Sequence, residues 1–179
     1  MVFMDQVLGP IRQWGFLVRD LDEAMACWIE QLGVGPWWGY RNVACRALVD
    51  GQDNDIVMSV GLAYHQGVQI ELIHQTNDQP SPYSYFYRSR EDAQALQQIA
   101  YMVPDMQQAI AQCEARGQHE TGRIVPAPDT AYVYMSSPAM NGLAIELMPH
   151  DDGFLREYQR CSAEAAAWDG SEPYRLLTL

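Results

Sequence analysis

The sequence predicts an α+β protein made of two tandem βαβββ modules followed by a C-terminal helical tail. Three observations predict it. Gln13-Trp14-Gly15-Phe16-Leu17-Val18-Arg19-Asp20-Leu21-Asp22-Glu23-Ala24 aligns with Gln98-Ile99-Ala100-Tyr101-Met102-Val103-Pro104-Asp105-Met106-Gln107-Gln108-Ala109 at a constant offset of 85 residues (98 − 13). Gly67-Val68-Gln69-Ile70-Glu71-Leu72 aligns with Gly142-Leu143-Ala144-Ile145-Glu146-Leu147 at an offset of 75 (146 − 71), in the same order along the chain. Each copy of the first segment also carries the same helix-start signal. A repeat found before elements are assigned fixes the architecture.

Taken in order, each module opens on an apolar strand, 13–18 in the first and 98–103 in the second. Asp20 with Glu23, and Asp105 with Gln108, then form a capping-box arrangement. The helices over about 21–32 and 106–116 stop at Gly33 and Gly117, where glycine suits a left-handed C-cap. Three β-rich runs follow in each module, at 36–48, 55–64 and 67–75, then at 119–126, 130–137 and 142–149. Residues 1–150 read as one domain, with module one over about 10–75 and module two over about 96–150. Between them, 76–95 reads as a linker from Asn77, Asp78, Pro80, Ser81 and Pro82. The tail, 151–179, begins with a helix around 152–167 and turns at Trp168-Asp169-Gly170-Ser171.

Alternation along a strand assigns the faces. Trp14, Phe16 and Val18 share one face, which predicts packing on the helix, while Gln13, Gly15 and Leu17 share the other. Ile99, Tyr101 and Val103 likewise oppose Gln98, Ala100 and Met102; Val68, Ile70 and Leu72 oppose Gln69, Glu71 and Ile73; Leu143, Ile145 and Leu147 oppose Ala144, Glu146 and Met148. The four duplicated polar residues Gln13, Glu71, Gln98 and Glu146 therefore lie together opposite the apolar stripe. Their neighbours on that face are small or apolar, which describes a cavity lining with a few convergent polar groups rather than a solvated surface.

Charge excludes several partners. Acidic residues number 23 against 11 basic ones, a net charge of −12 with a pI near 4.5. Displacing counterions from nucleic acid needs a basic stripe, and no window supplies one; the same balance disfavours an anionic membrane. The opening Met1-Val2-Phe3-Met4-Asp5-Gln6 has no basic stretch leading into an apolar one, and the cysteines at 27, 45, 113 and 161 form no Cys-x-x-Cys pair. Reduced thiols and a cytoplasmic location are the expectation.

These residues resemble the vicinal oxygen chelate superfamily, in the branch of glyoxalase I and methylmalonyl-CoA epimerase, over about 10–150. The resemblance implies paired βαβββ modules forming a curved, cavity-enclosing mixed sheet. It also implies a metal site with ligands from the first and last strand of each module. The family pattern has His before a run ending in Val-x-Asp-Leu, and Glu within Ile-Glu-Leu. Glu71 and Glu146 match, whereas Gln13 and Gln98 stand at the two His positions. Amide oxygen is a harder, weaker donor than imidazole. Imidazole is a good ligand for Zn²⁺, Ni²⁺ and Co²⁺, whereas a Gln13, Glu71, Gln98, Glu146 set can hold Mg²⁺, Mn²⁺ or Ca²⁺ through oxygen; a divalent ion of either kind is the expected cofactor, with a metal-free site as the alternative. None of the histidines restores the ligand set: His74 falls on the apolar side of its strand, and His65, His119 and His150 lie at element ends.

Two functions are then open. In the first, Glu146 and Glu71 shuttle a proton next to the carbonyl of a small carbonyl or thioester substrate, one as base and the other as acid, through an enolate. The second is a non-catalytic protein that sequesters a small molecule, as in relatives resembling bleomycin-resistance proteins. Candidate substrate contacts are Trp37, Tyr132, Tyr134 and Arg46, with Trp38, Tyr40 and Arg41 beside them. The tyrosine-rich run Pro82-Tyr83-Ser84-Tyr85-Phe86-Tyr87 either closes the cavity mouth or covers a sheet edge. The resemblance also implies a homodimer, since family modules often associate edge to edge and cyclic dimers are the commonest oligomers.

Overall fold

A computed structural model describes residues 7–178. The elements in chain order are β1 (Ile11–Val18), α1 (Leu21–Leu32), β2 (Trp37–Val49), β3 (Gln52–His65), β4 (Val68–Gln75), α2 (Ser84–Ser89), β5 (Gln94–Val103), α3 (Met106–Glu114), β6 (His119–Ala127), β7 (Thr130–Ser136), β8 (Ala144–Pro149), α4 (Asp152–Ala166) and β9 (Tyr174–Thr178). The two βαβββ modules are therefore present as expected. Both helix starts are capped as the sequence implies: Asp20 accepts from the Glu23 backbone N–H and Asp105 from that of Gln108, each at 2.9 Å. Such a cap stabilises a helix by about 1 kcal/mol. Gly33 ends α1 in the left-handed region, with φ of 65°.

The strands follow the order β3-β4-β1-β5-β8-β7-β6-β2, and β2 pairs back onto β3, which closes a barrel of eight mixed strands. The equivalent strands β1 and β5 pair antiparallel at the seam between the modules, while β1 runs parallel to β4 and β5 parallel to β8. Alternation sends one set of side chains inward and the other out under the helices. Outside, Ile70, Leu72 and Val18 pack with Leu21 and Met25 of α1, and Tyr101, Val103, Ile145 and Leu147 pack with Ala109 and Cys113 of α3.

Trp14 departs from the expectation that its whole face packs on the helix. It is 44% exposed, while Phe16 meets Trp28 of α1 edge-on at 5.0 Å. The helices lie over β3 and β4 and over β6 and β8, leaving the outer middle of β1 uncovered.

The segment between the modules holds a short helix, α2, and sends Tyr83 and Phe86 into the barrel interior against Leu17, Ile124 and Tyr134. Neither expected role, mouth cover or edge cover, describes these two rings. The tail is more structured than expected: after α4 and the turn at Asp169, β9 pairs parallel with the first half of β2. Tyr158 of α4 donates to the carbonyls of Arg12 and Gly67 at 3.0 and 2.7 Å, pinning the helix across the ends of β1 and β4. All four cysteines are free thiols. Among the described residues no helix is long and apolar enough to cross a membrane.

Candidate active site

The seam where β4, β1, β5 and β8 lie side by side brings Gln13, Glu71, Gln98 and Glu146 together inside the barrel. Register places Gly15 opposite Glu71 on one side and Gln98 on the other, and Ala100 opposite Glu146. Gly15 is required by close approach: a Cβ there would lie 2.5 Å from the Gln98 Cγ and Cδ, so the glutamine side chain lies across the bare backbone of β1. From that position Gln98 Nε2 donates to Glu71 Oε2 and to Glu146 Oε2, both at 3.0 Å.

Gln13 closes the other side through a reversible chain. In one sense its Nε2 donates to Gln69 Oε1 at 2.7 Å, and Gln69 Nε2 donates to the Tyr64 hydroxyl at 2.6 Å. In the opposite sense its nitrogen donates to Glu71 Oε2 and Glu146 Oε2 at 3.2 Å each, with its oxygen accepting from a likewise turned Gln69. The second sense is favoured when a carboxylate is ionised, because it replaces an oxygen facing oxygens by a donor.

Duplication would make the two glutamates equivalent, and two positions break that equivalence. Opposite Glu71 stands Leu62, whereas opposite Glu146 stands Tyr134. Tyr134 donates to Glu146 Oε1 at 2.8 Å and itself hydrogen-bonds the Tyr83 hydroxyl at 2.8 Å. Opposite Gln13 stands Gln69, whereas opposite Gln98 stands Ala144, and Gln98 Oε1 is buried with no partner among the described residues.

The electrostatics follow from this asymmetry. Burial raises both carboxyls: Glu146, 3% exposed, is pushed up to about 7 against the stabilising bonds from Tyr134 and Gln98. Glu71 is raised well above its ordinary value by burial and then by the charge of Glu146, with only Gln98 opposing. Glu71 therefore holds its proton the more tightly, and Glu146 is the carboxyl of the pair that ionises first, around neutral pH. Tyr83 and Tyr134 are raised by burial and by the glutamate charge, so both remain hydroxyl donors.

Both glutamates and Gln13 face a cavity of about 470 Å³. Its walls come from β2, β3, β4 and β7, through Tyr40, Val60, Leu62, Tyr64 and Tyr132, and from α4, through Phe154, Glu157 and Tyr158. Of the sequence-predicted contacts, Tyr132 and Tyr40 lie in this wall, and Tyr134 lies behind Glu146. Trp37 is instead fully buried under α1 beside Met25 and Trp28, because alternation along β2 puts it on the face opposite to Trp38 and Tyr40. Trp38 packs edge-on against Tyr64. Arg46 pairs with Asp53 and Arg41 with Asp22 away from the cavity. The sequence reading missed Tyr64, Gln69, Tyr83 and the α4 residues as parts of the site. Gln69 was legible, since it lies two residues before Glu71 on the same face; Tyr83 and α4 reach the site only through long-range packing.

A divalent cation is the cofactor the family implies. Among the described residues no three of His, Cys, Asp or Glu converge. The four side chains still fit a hard cation. Their available donors are oxygens, two of the side chains being carboxyl, and Gln98 turned about would bring its partnerless oxygen toward the two carboxyls, an arrangement that a bound cation stabilises when both are ionised.

No curated protein matches the chain in sequence. Among solved structures it is similar to methylmalonyl-CoA epimerase from Mycobacterium tuberculosis, with 18% identity, a TM-score of 0.52, and 84% of this chain and 93% of that one covered. A hypothetical protein from Bacillus halodurans is comparable, with 14% identity, a TM-score of 0.52, and 80% and 95% covered. These likenesses concern the fold. The family profile described as glyoxalase/bleomycin resistance protein/dioxygenase superfamily matches residues 12–134, which contain Gln13, Glu71, Gln98 and Tyr134. The chain belongs to that superfamily, the vicinal oxygen chelate proteins.

Proposed function

We propose that this protein is an enzyme that moves a proton on and off the carbon next to a carbonyl, in the manner of a glyoxalase or epimerase. The observation that carries the reading is the pair Glu71 and Glu146, bridged by Gln98 and facing one apolar cavity. Environments that separate the proton affinities of two neighbouring carboxyls define a base and an acid. Glu146, held ionised by Tyr134 and Gln98, takes the proton from carbon; Glu71 holds the proton that is returned. An affinity near neutrality suits a general base at physiological pH. Gln13 and Gln98 follow the charge by donating to whichever oxygen is ionised.

Gln13, Glu71, Gln98 and Glu146 would hold a divalent cation, which when bound supplies charge stabilisation to an enolate oxygen. Mg²⁺, Mn²⁺ and Ca²⁺ suit this set better than Co²⁺, Ni²⁺ or Zn²⁺. The domain read over 1–150 carries this chemistry through its described strands, and the helix α4 of the tail completes the cavity wall.

The test is solvent deuterium uptake at the α-carbon of carbonyl compounds, catalysed by the native protein and by Glu146→Gln. Uptake by the native protein that is lost in the variant, with the far-ultraviolet circular dichroism unchanged, supports the assignment. Equal uptake by both removes Glu146 from the chemistry, and saturable binding without uptake favours the sequestering alternative.

A further inference from the structure

We propose that the cavity takes a small, uncharged, largely apolar carbonyl compound and rejects carboxylates, phosphate esters and coenzyme A thioesters. This deepens the proposed function, on which it rests only for the carbonyl as the reacting group. The chain contains no lysine, and all eleven arginines and four histidines lie within the described residues. None of them lines the cavity. Four arginines are engaged elsewhere, Arg41 with Asp22, Arg46 with Asp53, Arg160 with Glu157 and Glu164, and Arg175 with Glu164, while Arg156 beside Gly153 and Arg12 beside Tyr158 lie behind the α4 wall and not in the lining.

The charged groups that do face the cavity are carboxyls, Glu71, Glu146 and Glu157. An anion entering would lose its hydration without gaining a counter-charge, next to a carboxylate and in a protein of net charge −12. A neutral ligand meets a mostly apolar wall, with the amides of Gln13 and Gln69 and the hydroxyls of Tyr40, Tyr64 and Tyr132 as uncharged polar groups able to orient it. Size points the same way. Phe154 and Tyr158 of α4 form one wall, and that wall is fixed by the bonds from Tyr158 to the Arg12 and Gly67 carbonyls.

Isothermal titration of the full chain, in chelator, compares 2-acetylnaphthalene with its anionic counterpart 6-acetyl-2-naphthoate and with acetyl-coenzyme A. The neutral ketone should bind saturably, the naphthoate at least about tenfold more weakly, and acetyl-coenzyme A without detectable affinity. Absence of saturable ketone binding, or either anion binding as tightly as the ketone, overturns the proposal. Repeating the titration with Glu146→Gln, which should not turn over, separates the two ideas: the same preference without deuterium uptake by the native protein keeps the ligand class and rejects the catalytic reading. Tyr40→Arg places a cation in the wall at a residue that is 44% exposed, a change the fold accommodates. It should raise naphthoate affinity about tenfold, and no rise counts against charge as the discriminator.

Discussion

Raising the pH should weaken the fold, and the glutamate pair fixes both the direction and the size of the effect. In the unfolded chain Glu146 titrates near 4.5; in the barrel burial moves it to about 7. A carboxyl that binds its proton more tightly when folded contributes stability that is complete below about pH 4.5 and is lost as the pH rises through about 7. At 1.36 kcal/mol per pH unit this amounts to about 3 kcal/mol, and Glu71, raised for the same reason, acts in the same direction. Against a typical stability of 5–15 kcal/mol this is a large fraction. His74, held down by burial against the opposing charges of Asp20 and Asp22, acts in the opposite direction between its lowered value and 6.5, so a single curve mixes the two. Urea unfolding at pH 5 and pH 8 in chelator, for the native chain and for Glu71→Gln/Glu146→Gln, isolates the pair, because His74 is common to both. The native chain should lose about 3 kcal/mol more than the double variant between the two pH values. Equal losses, or a native chain that gains stability relative to the variant, would refute the buried shared proton.

Three other outcomes follow from named contacts. Tyr134→Phe removes the 2.8 Å donor to Glu146, and losing a bond to a charged group worth about 1.5–3 kcal/mol should move the pH midpoint of the stability curve or of deuterium uptake upward by about one to two units; an unmoved midpoint denies Tyr134 its part in holding the carboxylate. Gly15→Ala forces Gln98 aside, since the new Cβ would lie 2.5 Å from its carbons, and should cost about 1–3 kcal/mol in thermal or urea unfolding. Adding Gln98→Ala should recover much of that loss, and no recovery would place the clash elsewhere. Titrating the stripped protein with Mg²⁺, Mn²⁺ or Ca²⁺ should raise the melting temperature, by the equivalent of about 2.7 kcal/mol at a hundred times Kd. Glu146→Ala should abolish the rise, and no stabilisation by any of these ions or by Co²⁺, Ni²⁺ or Zn²⁺ retires the chelate.

The architecture was legible because it is written twice. Two matched segments locate β1, β4, β5 and β8, and alternation alone puts Gln13, Glu71, Gln98 and Glu146 on one inner face. Local signals also set both helix starts, since a capping aspartate acts within three residues of itself. The pairing of β2 with β6 that closes the barrel, the entry of Tyr83 into the interior and the pairing of β9 depend on contacts between distant parts of the chain, for which no local period exists. Trp37 illustrates the limit of alternation: an aromatic at the start of a strand looks the same whether it faces a cavity or a helix, and here the helix claims it.

The substitution of tyrosine for leucine across from one glutamate gives the duplicated halves different jobs, and that has a stereochemical meaning. A pair related by an intact two-fold would present the same group to both faces of a planar enolate. With Leu62 beside Glu71 and Tyr134 beside Glu146, the resting proton sits on the module-one side, so the two faces of the substrate are distinguishable before anything binds. In the chemistry proposed here, hydrogen leaves toward β8 and returns from β4. A racemic substrate would then exchange label in one enantiomer ahead of the other, and Leu62→Tyr would blunt that handedness.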